Sequence, residues 1–242
     1  MSQLTTLLFD LDGTLLPMDQ DHFTKGYFKQ LIPRVAHLIG PEPFVDQLWK
    51  STEAMVRNDD PTLTNEQVFK QDFLTALNVQ ESDYWPILED FYAGRFGELS
   101  ELTNPTPLAR QVCLAALDKG YEIVLATNPL FPRSAILHRM RWAGVEDLPF
   151  RLVTTLEEMH FCKPNPSYYR EILQKIDRAP ESCMMIGNDG YEDLIAGKLG
   201  TQTYWVTDCA IEEESKSLPF DHKGTMEDLL RFIRDELPTL RT

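Results

Sequence analysis

Thr5-Thr6-Leu7-Leu8-Phe9-Asp10-Leu11-Asp12-Gly13-Thr14-Leu15-Leu16-Pro17 opens as an apolar run and ends in two acids, a glycine and a threonine. Short continuous apolar runs of this kind read as buried strands. Asp and Gly at the exit form turns readily, which accounts for the bend. It does not account for two carboxylates two positions apart at a strand end.

The rest of the chain answers to this strand. From about residue 105 onward, strand-like segments 122–128, 151–155, 183–188 and 201–207 alternate with helical patterns at about 106–119, 132–143, 166–176, 191–199 and 225–236. Such alternation, with strands apolar along their length, predicts an α/β fold with a Rossmann-like parallel sheet covered on both faces. Residues 18–103 carry helical spacing instead. Phe23, Tyr27, Leu31 and Val35 form one stripe; Leu48, Thr52, Met55 and Val56 form another. Thr64 with Gln67 fits a capping box. A fourth helix runs through Trp85, Leu88, Phe91, Tyr92 and Phe96, and Trp49, Trp85, Phe91 and Tyr92 are expected in the core of this module. The Thr103–Pro107 stretch reads as a linker. The chain therefore divides into a discontinuous α/β core, 1–17 with 104–242, and an inserted helical bundle, 18–103.

Composition narrows the partners. The 242 residues, 43% hydrophobic, suffice for one large core or two smaller ones. A formal net charge of -15 repels nucleic acid and anionic membranes. No apolar run is long enough to span a bilayer, and no charged-then-apolar leader precedes Asp10. Cys113, Cys162, Cys183 and Cys209 lie far apart without a CxxC pair, as expected of reduced thiols in a cytoplasmic protein.

Ligands of open parallel sheets bind beyond the carboxyl ends of the strands. Those ends carry Asp10 and Asp12; Thr127 and Asn128; Lys163; and Asn188 and Asp189 followed by Glu192 and Asp193. Any of these alone suits a turn or a helix cap. Together they bring carboxylates, an ammonium and a hydroxyl to one edge. Like charges at about 4 Å repel by roughly 4 kcal/mol at an effective dielectric near 20, so Asp10, Asp12 and Asp189 call for a cation. All-oxygen donors favour Mg²⁺.

The set DLDGT (10–14), ATN (126–128), KP (163–164) and GNDGYED (187–193) resembles the haloacid dehalogenase superfamily, with residues 18–103 similar to its type-1 helical cap. The resemblance implies a Mg²⁺-dependent phosphatase, a hydrolase of phosphoric monoesters acting on a small phosphorylated metabolite. Asp10 would be the nucleophile that forms an aspartyl-phosphate and a metal ligand. Asp12 would serve as acid and then base, its carbonyl on the metal. Thr127 and the Asn128 amide would hold phosphoryl oxygens, and Lys163 would neutralise Asp10 and the phosphoryl group. Asp189 would complete the metal ligands, supported by Asp193. Many members carry Gly-Asp where this chain has Gly187-Asn188. Either Asp189 is the ligand with the loop register differing by one, or Asn188 binds through its amide oxygen; the carboxylate is the better Mg²⁺ donor. Asp12 argues against dehalogenation, because halide leaves without a proton. Phosphomutase, phosphonate cleavage and non-catalytic phosphate binding are the alternatives. His22, Lys25, Arg57 and Arg95 are candidate cap contacts to substrate; His37, His138 and His222 receive no role.

Overall fold

The computed structural model describes residues 3–212 and 218–240. Strands β1 (Thr6–Phe9), β2 (Glu122–Leu125), β3 (Cys183–Gly187), β4 (Gln202–Val206) and β5 (His222–Gly224) form one sheet in the order β2-β1-β3-β4-β5. Every neighbouring pair is parallel. Successive side chains alternate between faces. Leu7, Phe9, Ile123, Leu125, Met184 and Ile186 therefore enter one core, while Leu8, Val124 and Met185 enter another on the opposite face. Burial on both sides is why the central positions of β1, β2 and β3 are apolar.

Helices α5 (Pro107–Asp118) and α8 (Met226–Arg231) cover the first face, and α7 (Pro166–Ile176) the second. Helix α6 (Arg133–Trp142) follows β2. Two expectations change here. Segment 151–155 is not a full strand: it holds one bridge, Val153 to Leu125, with backbone bonds from Arg151 N to Ile123 O (2.8 Å) and Thr154 N to Leu125 O (3.1 Å). Beyond that bridge the segment is tied to the loop after β2 by the Thr154 hydroxyl, which donates to the Thr127 carbonyl at 2.7 Å. Segment 191–199 is a turn followed by a 3₁₀ helix, Leu194–Leu199. Its early amides are taken by carboxylates: Tyr191 N and Glu192 N donate to Asp189 Oδ1 at 2.8 and 2.7 Å. Strand β5 had no apolar run to betray it.

Between β1 and α5 the chain builds α1 (Gln20–Val35), α2 (Pro41–Val56), α3 (Asn65–Leu77) and α4 (Glu81–Ala93), then a 3₁₀ segment, Arg95–Leu102. Helix α1 buries Phe23, Tyr27, Leu31 and Val35, and Asp19 caps it. The Thr64–Gln67 capping box opens α3. In α2 the buried residues are Phe44, Ser51 and Met55; Leu48 and Thr52 instead line a cavity shared by the bundle and the 130–134 and 156–157 segments. The outgoing and returning connections run side by side, with Met18 bridged antiparallel to Thr103 and Asn104 N donating to Pro17 O at 2.8 Å. All four cysteines are free. Among the described residues, no helix is long and apolar enough to cross a membrane.

Candidate active site

In the β1 register, Phe9 stands level with Leu125 and Ile186, so the next residues of three strands emerge together. Asp10 N donates to Ile186 O at 2.9 Å and Ala126 N to Phe9 O at 2.7 Å. The chain then turns sharply: Leu16 N returns to Leu11 O at 2.8 Å. Gly13 makes that turn possible, with φ +83° and a site where any Cβ would collide with the Asn188 side chain.

Asp10 is 7% exposed. Lys163 Nζ donates to its Oδ1 at 2.8 Å, and the Thr14 hydroxyl lies 3.1 Å from its Oδ2. The same ammonium reaches Asp193 Oδ1 at 2.6 Å. One lysine thus serves two buried carboxylates. Burial works against the Lys163 charge, yet Asp10 and Asp193 together hold its pKa well above the ordinary lysine range. Burial pushes Asp193 up to about 7, against the pull of Lys163 and with the help of the Asp10 charge. Gly187 lets that carboxylate lie against the end of β3, since a Cβ there would overlap it. The Lys163–Pro164 peptide is cis.

Thr127 and Asn128 lie beside this centre. The Thr127 carbonyl is held by the hydroxyls of Thr154 and Tyr168, at 2.7 and 2.8 Å. Asn128 Nδ2 donates to Glu192 Oε2 at 3.0 Å, and Asn128 Oδ1 accepts from Lys163 N at 3.2 Å. Burial raises the Glu192 pKa, partly offset by Lys163. The loop after β2 is thereby locked to the loop that carries the lysine.

Asn188 and Asp189 part company. Asn188 is 1% exposed, and its Oδ1 lies 3.0 Å from the Thr14 hydroxyl that also faces Asp10. Its Nδ2 donates to Cys209 O at 2.7 Å, which fixes the oxygen toward Thr14. Asp189 spends Oδ1 on its own loop amides. The structure therefore brings Asn188, rather than Asp189, into the hydrogen-bonded group around Asp10. Among the described residues no three His, Cys, Asp or Glu side chains gather as a metal cage. The oxygens that converge are of mixed type, a carboxylate and an amide, which is a hard-cation donor set of the kind Mg²⁺ accepts alongside waters.

Sequence reasoning missed Arg139. This α6 residue is 1% exposed and forms an ion pair with Asp12 Oδ2. Its guanidinium lies 4.6 Å from the centroid of the Phe131 ring. Burial raises the Asp12 pKa, the Arg139 charge lowers it, and Asp10 raises it again, with a net upward shift. Asp12 Oδ1 and Arg139 Nη2 are buried without hydrogen-bond partners. The signal was available: Ala135, Ile136, Arg139 and Met140 make up the buried face of α6, so an arginine sits on an apolar stripe.

His22, Lys25, Arg57 and Arg95 are all exposed. Arg57 pairs with Glu53, and Arg95 with Glu98 at 3.6 Å. Trp49, expected in the cap core, is 52% exposed.

Residues 4–200 match the family model of haloacid dehalogenase-like hydrolases. Pyrophosphatase PpaX of Bacillus pumilus (strain SAFR-032) is 26% identical over 245 residues, covering 96% of this chain and 97% of that protein. Pyrophosphatase PpaX of Bacillus cereus (strain ATCC 10987 / NRS 248) is 23% identical over 210 residues, 83% of this chain and 82% of its own. Among solved structures, a HAD phosphatase from Thermococcus onnurineus superposes with TM-score 0.64 at 16% identity, covering 98% of this chain and all of that one (100%). An L-2-haloacid dehalogenase from Xanthobacter autotrophicus gives 0.57 at 14% identity, over 97% of this chain and 100% of the other. These two likenesses speak for the fold.

Proposed function

Because the chain belongs to the haloacid dehalogenase-like hydrolases, we propose that it is a Mg²⁺-dependent phosphatase that cleaves a small phosphorylated metabolite through a phosphoryl group carried on Asp10. The observation that carries this reading is the pair of acids, Asp10 buried and Asp12 partly buried, with separate partners. Asp10 is held by Lys163 and Thr14, as a nucleophilic carboxylate requires. Asp12 is held through one oxygen by Arg139, while its other oxygen is unpaired and can carry a proton to a leaving alkoxide and later take one from water. Halide departure has no use for that second acid.

Thr127 and the Asn128 amide would hold the phosphoryl oxygens, and Lys163 would neutralise charge passing between Asp10 and the phosphoryl group. Asp193 holds Lys163 in place. Asp10, the Asp12 carbonyl and Asn188 would hold Mg²⁺, with the unshared oxygen of Asp189 as the other candidate donor. When bound there, the ion supplies the positive charge that lets an anionic phosphate approach this acidic edge.

The reading is tested with a panel of phosphate esters, including pyrophosphate, assayed with and without Mg²⁺ on wild type and Asp10→Asn. Metal-dependent turnover that Asp10→Asn abolishes supports it; no turnover on the whole panel overturns it.

A further inference from the structure

A cavity of about 510 Å³ lies between the cap helices and the core loops, a size typical of small-molecule sites. Its walls are largely aromatic: Phe28, Trp49, Phe69, Phe73, Trp85 and Phe131 all line it. The charged groups on its lining are Glu66, Glu89 and Glu157, and no lysine, arginine or histidine is among them. The exposed cap cations His22, Lys25, Arg57 and Arg95 are likewise absent from its walls.

None of the site residues lines the cavity, and its wall is linked to the catalytic edge by one chain connection and two packings. Leu130 and Phe131, on its core side, follow the Thr127–Asn128 pair within the same loop. Phe131 lies against Arg139, whose guanidinium holds Asp12. Leu156, also on the wall, packs in one cluster with Cys162, the residue before Lys163. A substrate with its phosphate beside Asp10 would therefore direct its ester group into this space.

From the lining and its continuity with the site, we propose that the cavity receives an uncharged apolar ester group, aryl or alkyl, and that the substrate carries a single phosphate. This deepens, and rests on, the phosphatase reading. An apolar wall rewards removal of hydrocarbon from water. A second phosphate or a carboxylate would meet carboxylates, because the cations stacked on the walls, Lys70 over Trp85 and Arg139 over Phe131, are already paired with Glu66 and Asp12; its charge would be desolvated without a free partner. Pyrophosphate, the substrate named for the Bacillus relatives, offers nothing to fill the space.

The test is a series of n-alkyl phosphates from methyl to hexyl, with phenyl and 1-naphthyl phosphate, assayed on the full chain with Mg²⁺. Each buried methylene is expected to raise kcat/KM by about fourfold, chiefly through KM. Phosphoglycolate is expected to fall at least tenfold below ethyl phosphate. A flat response to chain length, or a preference for phosphoglycolate or pyrophosphate, overturns the proposal while leaving a phosphatase. Thr52→Arg, which adds a cation to the wall, is expected to raise the phosphoglycolate-to-hexyl ratio at least tenfold; an unchanged ratio counts against the assignment. Absence of turnover on every ester overturns the phosphatase reading instead. Tryptophan fluorescence during titration with n-hexanol then decides the cavity alone: saturable quenching supports an apolar site, and no quenching overturns it.

Discussion

The carboxyl edge of the sheet and the cavity lined by the inserted helices differ in chemistry. At the sheet edge, short side chains fixed by strand ends hold buried charge: Asp10, Asp193 and Lys163 lie within 2.8 Å contacts of one another through the ammonium. In the cap, long helices present aromatic rings around open space. The edge is built to hold charge at fixed atoms, since buried ion pairs tolerate little displacement. The cavity is built from dispersion and burial, which tolerate exchange of shape. On the proposed function, reaction and selectivity divide between these two kinds of packing, and each kind can be broken separately.

The largest effect is expected at the edge. Asp10→Asn should lower turnover by about four orders of magnitude or more, as loss of a nucleophile does, in a steady-state phosphate-release assay. Arg139→Met comes next. It strands Asp12 in a partly buried position and should cost about 3 kcal/mol of stability in urea unfolding, with turnover falling as Asp12 loses its anchor; a stability change under 0.5 kcal/mol would mean that the pair contributes little. Gly13→Ala forces a side chain into a positive-φ turn and into Asn188. It should cost about 1–3 kcal/mol and weaken Mg²⁺ activation if Asn188 is the donor, which a Mg²⁺ titration of the variant would measure.

The pH response of the edge has a definite sign. Asp193 is raised from the ordinary 3.8 to about 7, so the folded protein holds a proton that the unfolded chain has already released. Stability must then fall as pH rises from about 4 to 7. In metal-free protein, Asp193→Asn should flatten that slope, and urea unfolding at stepped pH reads it directly. The smallest effect is expected on the cap exterior: Lys25→Ala and Arg95→Ala lie outside the cavity and should change kcat/KM by less than about twofold, as surface substitutions usually do.

The two regions also differed in how much the sequence disclosed. At the edge, the candidate residues Asp10, Asp12 and Thr127 and the 188–193 run sit at fixed offsets from strand ends and could be placed from the apolar pattern, whereas Lys163 follows a segment that holds a single bridge. Segment 151–155 was harder, because its apolar run holds only one bridge to β2, and β5 has no apolar signature. The choice between Asn188 and Asp189 depends on which way each side chain turns, and that is set by Cys209 O and the amides of residues 191 and 192. The inserted segment was legible as helices but not as the wall of a cavity. Aromatic residues at helical spacing look the same whether they fill a core or line a hollow, and only the packing shows that Trp49 is half exposed while Phe91 is fully buried.

The central claim is that Asp10 carries the phosphoryl group. Rapid quench of enzyme with Mg²⁺ and its best ester, followed by borohydride reduction and peptide mass spectrometry, tests it at the atom concerned. A reduced aspartyl-phosphate should leave homoserine at position 10 and nowhere else, and Asp10→Asn should leave none. Turnover without modification of residue 10, or with the label on another side chain, would contradict the account.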